Sequence, residues 1–210
     1  MKSPDTLKTI FPRGLIQWAG QHSGGVKRLF DSASGRPGKA LLRTNLIGKL
    51  EIWARSAVHA SETVPRILLL VGGPGNGKTE AIEHTIKCLD SDLGASGKLV
   101  AALASYFHPK EGKVPRIVEV DAGSFATSNK RLKLKIVQDA SVTAGGMGEA
   151  APHLLLEELS TAQSGSTDEI YLCCVNRGVL DDALIYAIER NLPEQKMLLE
   201  AVTRAVSLSS

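Results

Sequence analysis

Aromatic side chains make up only 4% of this 210-residue chain, so its core has to rest on Leu, Ile, Val and Ala. Cysteine is scarcer still. Cys88, Cys173 and Cys174 provide neither a disulfide framework nor the paired spacing of a zinc site. As neighbours in a strand, Cys173 and Cys174 would point to opposite faces and fill small buried volumes. His22, His59, His84, His108 and His153 are scattered without a ligand pattern, which leaves them structural or solvent-facing. No apolar run approaches the roughly 20 residues of a membrane span. The start, Met1-Lys2-Ser3-Pro4-Asp5, lacks the hydrophobic region of a secretory signal. These absences lead to the expectation of a soluble cytoplasmic protein with no membrane partner. The length suits one α/β domain preceded by an extension, and no internal repeat is visible.

Charge is unevenly placed. Residues 1–60 carry ten Lys or Arg and three acids, a balance of +7, whereas the whole chain sums to +3, which leaves −4 for the rest. A basic extension on a mildly acidic domain suggests an acidic partner, with nucleic acid as the sharp reading and a solvated basic face as the plain one. Lys130, Arg131, Lys133 and Lys135 add a second basic stretch, in which alternation puts Lys133 and Lys135 on one strand face.

Glycine is where residue order dictates chemistry. Gly72-Gly73-Pro74-Gly75-Asn76-Gly77-Lys78-Thr79 fits the phosphate-binding pattern G-x-x-x-x-G-K-[ST] without a mismatch. A triphosphate concentrates negative charge, and only a glycine-rich turn lets backbone N–H groups approach it closely. Lys78 would reach the β and γ phosphates, the Thr79 hydroxyl would ligate Mg2+, and the helix carrying Glu80 would present its positive end. The flanks agree: Arg66 to Val71 is a short apolar strand, and Ala81, Ile82, Ile86 and Leu89 recur at helical spacing over Glu80 to Leu89.

Elsewhere, residues 1–38 are punctuated by Gly and Pro and read as irregular, with short helical pieces near Leu15–Trp18 and Val26–Phe30. Leu42, Leu46, Leu50, Trp53, Ala57 and Val58 predict an amphipathic helix over about 39–60 that packs on the sheet, with Trp53 in the core. Residues 61–65 read as a turn and 90–97 as a polar connection. Lys98–Phe107 and Pro115–Asp121 both read as extended, separated by a turn at 108–113, and Leu132–Asp139 reads as a strand ending in an acid. A glycine-rich loop at 144–151, a helix at His153–Ala162, a buried strand at Glu169–Val175 and helices near Asp181–Arg190 and Glu194–Ser207 complete the pattern.

This order of parts resembles the AAA+ class of P-loop ATPases over about Pro65 to Arg190. Cys174-Val175-Asn176-Arg177-Gly178-Val179-Leu180-Asp181-Asp182-Ala183-Leu184 looks like the strand end of that class that carries a polar sensor residue. The resemblance implies a three-layer, mostly parallel P-loop fold. It makes Asn176 the sensor that orients the attacking water and Asp139 the acid that holds Mg2+ through water, so that Lys78, Asp139 and Asn176 are the catalytic candidates. A strand-end turn asparagine is the plainer reading of Asn176. Glu157 or Glu158 is a rival acid if His153–Glu158 forms a strand, although only eleven residues separate Glu158 from Ile170; Asp121 is a third candidate.

Two departures qualify the resemblance. Ala140 stands where a catalytic glutamate normally follows the acid, and 34 residues follow Asn176, so little or no C-terminal helical lid is expected. The function expected is ATP binding and hydrolysis coupled to a conformational or assembly change, in a homo-oligomer or with a partner ATPase subunit. Arg177, Arg190 and Arg204 are candidates for contacts across a subunit boundary. A nucleotide-gated binding module with little turnover is the alternative, with a small-molecule kinase behind it.

Overall fold

The computed structural model describes residues 29–30, 43–59, 64–73, 75–108, 114–127, 130–143 and 150–208. The expectations placed on 1–28, 31–42, 60–63, 109–113 and 144–149, and on Pro74, lie outside them. Helix α1 (Asn45–His59) leads to strand β1 (Ile67–Val71), followed by α2 (Lys78–Asp92), α3 (Lys98–Phe107) and β2 (Val118–Asp121). A 3-10 turn at Ala122–Phe125 precedes β3 (Lys133–Val137), α4 (Ala151–Ser164), β4 (Glu169–Val175), α5 (Arg177–Glu189) and α6 (Pro193–Leu208).

The four strands form one mixed sheet in the order β1-β4-β3-β2. β4 pairs in parallel with β1 and with β3, while β2 pairs antiparallel with β3. Side-chain alternation sorts the core onto two faces. Leu70, Leu134, Ile136, Ile170, Leu172 and Cys174 join α1, α2 and α3 on one face. On the other, Val137, Tyr171, Cys173 and Val175 join α4, α5 and α6. The result is an α/β fold with helices on both sides of a mostly parallel sheet.

The extended reading of Lys98–Phe107 is overturned. This segment is α3, and its buried residues Leu99, Leu103 and Phe107 recur every four residues, a helical spacing. Alanines at 101, 102 and 104 favour helix as well. The Asp90 carboxylate, 5% exposed, accepts from Gly97 N (2.6 Å) and Val100 N (3.2 Å) and so caps α3 across the tight turn. The extra helix has a topological consequence. One helix after β1 returns the chain to the edge where β1 began; a second carries it back, so β2 enters from the opposite edge and runs antiparallel.

Other boundaries shift less. The first helix starts at Asn45 and packs on α2 rather than on the sheet, and Trp53, partly buried against the core, donates from Nε1 to Pro65 O at 3.0 Å. Asp139 lies beyond the end of β3, and α5 begins at Arg177, four residues before the expected start. Leu29, fully buried, and Phe30 dock on this layer: Phe30 N donates to Glu83 Oε2 (2.9 Å), His108 Nε2 lies 2.6 Å from Leu29 O, and Phe30 meets the Phe107 ring.

Among the described residues no helix is long and apolar enough to cross a membrane. Since Leu103 is fully buried in α3, Leu103→Ala should cost about 2–5 kcal/mol of unfolding free energy, read from urea denaturation. A loss below about 0.5 kcal/mol, typical of surface positions, would contradict this packing.

Candidate functional site

The glycine loop occupies the turn between β1 and α2. Gly75 (φ +79°) and Gly77 (φ +75°) are left-handed, a conformation that costs other residues about 1–2 kcal/mol. A Cβ added at either would meet nothing within 4 Å, so backbone geometry rather than crowding demands glycine and the loop's mouth is open. Gly72 differs: a Cβ there would lie 3.1 Å from Asn76 Nδ2. Gly77 is the N-cap of α2 and no side chain caps that end, so the first-turn N–H groups and the positive end of a 15-residue helix face the loop. Lys78 folds back over it, its ammonium donating to Gly72 O (2.7 Å) and Gly73 O (2.8 Å). Thr79 and Glu80 are partly buried in the same turn of helix.

Parallel pairing sets the other candidates beside this loop. Gly72 N donates to Val175 O (3.2 Å), which places the start of the loop next to Asn176. Ala140 N donates to Cys174 O (2.9 Å), which places Asp139 at the same sheet edge. Along the β3–β4 pair, Lys133 N bonds Asp168 O and Ala140 N bonds Cys174 O, seven steps on one side against six on the other. One extra residue therefore sits between Val137 and Ala140 and turns the chain after the strand. In that turn Asp139 is exposed, and its Oδ1 accepts from Ser141 N (2.9 Å) and Ser141 Oγ (2.7 Å).

Asn176 has a visible structural job. Its Oδ1 accepts from Val179 N at 2.8 Å and caps α5, which fixes the side chain and leaves its amide NH2 as the group that could donate to a ligand.

The rival acids are elsewhere. His153–Glu158 is helical, part of α4, which overturns its reading as a strand. Glu157 is exposed and pairs with His153 (3.5 Å), and Glu158 is buried against Arg116. Asp121 pairs in register with Lys133 at the start of β3, about 13 Å along the sheet from Val137 at 3.3 Å per residue. The antiparallel course of β2 therefore removes Asp121 from the loop's edge.

Beneath the site, Cys174 is 2% exposed, and burial pushes its thiol up to about 12; Lys78 opposes that shift and Asp139 adds to it. Burial also raises Cys173 and Tyr171. Two lysines of the basic stretch face carboxylates: Lys135 lies 3.1 Å from Glu169 and in register with Glu119, and Lys133 is in register with Asp121. Such cross-strand pairs are the ordinary stabilisation of a sheet face.

Comparison of the chain with family models, with curated proteins and with solved structures finds no match. Sequence reasoning missed Arg116. Its Nε donates to Glu158 Oε1 (2.5 Å), Nη2 to Glu158 Oε2 (3.3 Å), and Nη1 to the carbonyls of Ala140, at 2.9 Å, and Val142. Those partners lie 24 to 42 residues away, so no local pattern could announce them.

Gly77→Ala should cost about 1–2 kcal/mol, measurable by urea denaturation, because it forces a side chain into the left-handed region. A thiol reagent at pH 8 should reach Cys88, which is partly exposed, while Cys173 and Cys174 react only in denaturant. An unfolded thiol titrates near 9.0, below the raised value of Cys174, so the folded state holds the proton more tightly. That contribution to stability is complete below pH 9 and is lost as pH rises toward 12. Denaturation midpoints should therefore fall as pH is raised above 9, and in Cys174→Ala the fall should be smaller.

Proposed function

We propose that this chain binds Mg-ATP at the glycine loop and couples the bound nucleotide to a conformational or assembly change, in the manner of a P-loop ATPase. The observation that carries the reading is the strand–loop–helix unit. Two left-handed glycines open the turn, the helix end behind it has no side-chain cap, and Lys78 stands over the loop carbonyls. An uncapped helix N-terminus with inward N–H groups suits a phosphate, and Lys78 would exchange its two carbonyl partners for phosphate oxygens.

The donor set suits Mg2+ as well. Mg2+ retains much of its water and takes one or two carboxylates together with substrate phosphates, so a threonine hydroxyl and a single exposed carboxylate are an adequate protein contribution. Among the described residues there is no cluster of three or more His, Cys, Asp or Glu, as a site built wholly from protein ligands would need. β1 and β3 flank β4, which sets their tips about 10 Å apart at 4.7–4.9 Å per strand. Bound Mg2+ would neutralise phosphate charge as it shifts toward the leaving group. Asp139 would hold the water shell on its side of the site, Thr79 would supply the direct oxygen, and the Asn176 NH2 would donate toward the terminal phosphate or the attacking water.

A second reading, a nucleotide-gated module with little turnover, is favoured by one feature. Ala140 is fully buried where a general base would be wanted, and Ser141 is engaged with Asp139. Homo-oligomer or partner-subunit contacts, and nucleic acid on the basic first 60 residues, are proposed on charge and resemblance alone.

Lys78→Ala should weaken binding of labelled ATP by about 100-fold, since charge-assisted hydrogen bonds contribute about 1.5–3 kcal/mol each and more than one is lost. Unchanged affinity would remove the assignment. Steady-state phosphate release separates the two readings: turnover that disappears in Asp139→Asn supports the ATPase, and tight binding without release supports the gated module.

A further inference from the structure

Arg116 and Glu158 form an ion pair whose side chains are 5% and 7% exposed. Charges this deep are tolerated only when paired and fully hydrogen-bonded. Glu158 meets that demand through the Arg116 fork and through Tyr171, which donates its hydroxyl to Oε2 at 2.7 Å. Arg116 meets it by spending its remaining nitrogen, Nη1, on two main-chain carbonyls, Ala140 and Val142. Those carbonyls flank Ser141, whose N–H and hydroxyl both hold Asp139 Oδ1. A continuous chain of contacts therefore runs from Glu158 on α4 through Arg116 to the turn that presents the Asp139 carboxylate.

Topology makes this possible. Arg116 lies two residues before β2, and Val118 at the start of that strand pairs with Ile136 near the end of β3. Because β2 is antiparallel, its beginning lies at the sheet edge where β1, β4 and β3 finish. Had β2 run parallel, Arg116 would lie at the opposite edge.

We propose that Arg116 is a positioning residue for the nucleotide site: with Glu158 as its counter-ion, it clamps the Asp139–Val142 turn and holds the Asp139 carboxylate where it serves the metal. The proposal rests on the Mg-nucleotide reading above for its consequence, and on the hydrogen bonds alone for the clamp. Lysine cannot replace arginine here, because a single ammonium cannot span a carboxylate and two carbonyls as a planar fork does. Losing a group that orients a metal ligand typically costs about 10–100-fold in metal affinity.

Two measurements test it on Arg116→Lys and Glu158→Gln. In nucleotide-free protein, amide hydrogen exchange at Ala140 and Val142 should quicken by about tenfold or more, while Ala81 in the first turn of α2 keeps its rate. A fluorescent ATP analogue titrated with and without Mg2+ should show metal-free affinity changed by less than about twofold, and the tightening produced by Mg2+ reduced about tenfold. Exchange at 140 and 142 that stays at the native rate in both variants overturns the clamp. So does acceleration spread evenly to Ala81, which would mark a general loss of stability. Native Mg2+ tightening with a loosened turn overturns the metal role. If the unaltered protein binds no analogue at all, the nucleotide reading fails, and the exchange rates still decide whether Arg116 holds the turn.

Discussion

Parallel pairing of β1, β4 and β3 is the constraint on which the rest depends. Strands that run the same way finish at the same edge, and a ligand-binding crevice in an open α/β sheet forms outside those carboxyl ends. Here the ladder continues one bond past the strands on both sides of β4, through Gly72 N to Val175 O and Ala140 N to Cys174 O. Those bonds bring together the glycine loop at 72–79, Asp139 and Asn176, which are well separated along the chain. The apolar layers on both faces of the sheet hold that edge in register, because a slip of one residue would turn Leu172 and Cys173 to the wrong sides.

The antiparallel β2 is the second decisive element. It takes Asp121 away from the sheet edge where the glycine loop lies and brings Arg116 to that edge, and both effects accompany the presence of α3 between α2 and β2. The buried Arg116–Glu158 pair is poor evidence of stability as such, since desolvation offsets much of its attraction. Its value lies in geometry: a guanidinium that must satisfy every N–H fixes the carbonyls it meets. The same logic explains Asp90, a buried acid whose two oxygens cap α3.

Charge on the surface follows a different rule. The alternating lysines at 133 and 135 face Asp121, Glu119 and Glu169 across neighbouring strands, so a basic run in the sequence becomes a balanced sheet face. A run of like charges states only what one strand carries; its neighbours decide what field reaches solvent.

Most strands and helices were legible in the chain, because hydrophobic period is a local property. Glu169–Val175 reads as a strand and is one, and the glycine loop falls between strand and helix as its spacing requires. Lys98–Phe107 was misread because an apolar, alanine-rich segment satisfies either period until its neighbours choose a face. Asn176 was legible as a strand-end residue, while its capping bond depends on α5 starting at Arg177. By itself, then, the sequence determined the glycine loop, the buried strands and the candidate acids, since each is written in residues near one another. The tertiary structure alone decided which acid lies beside the loop, which way β2 runs and what Arg116 holds, because strand order and burial depend on contacts between residues far apart in the chain.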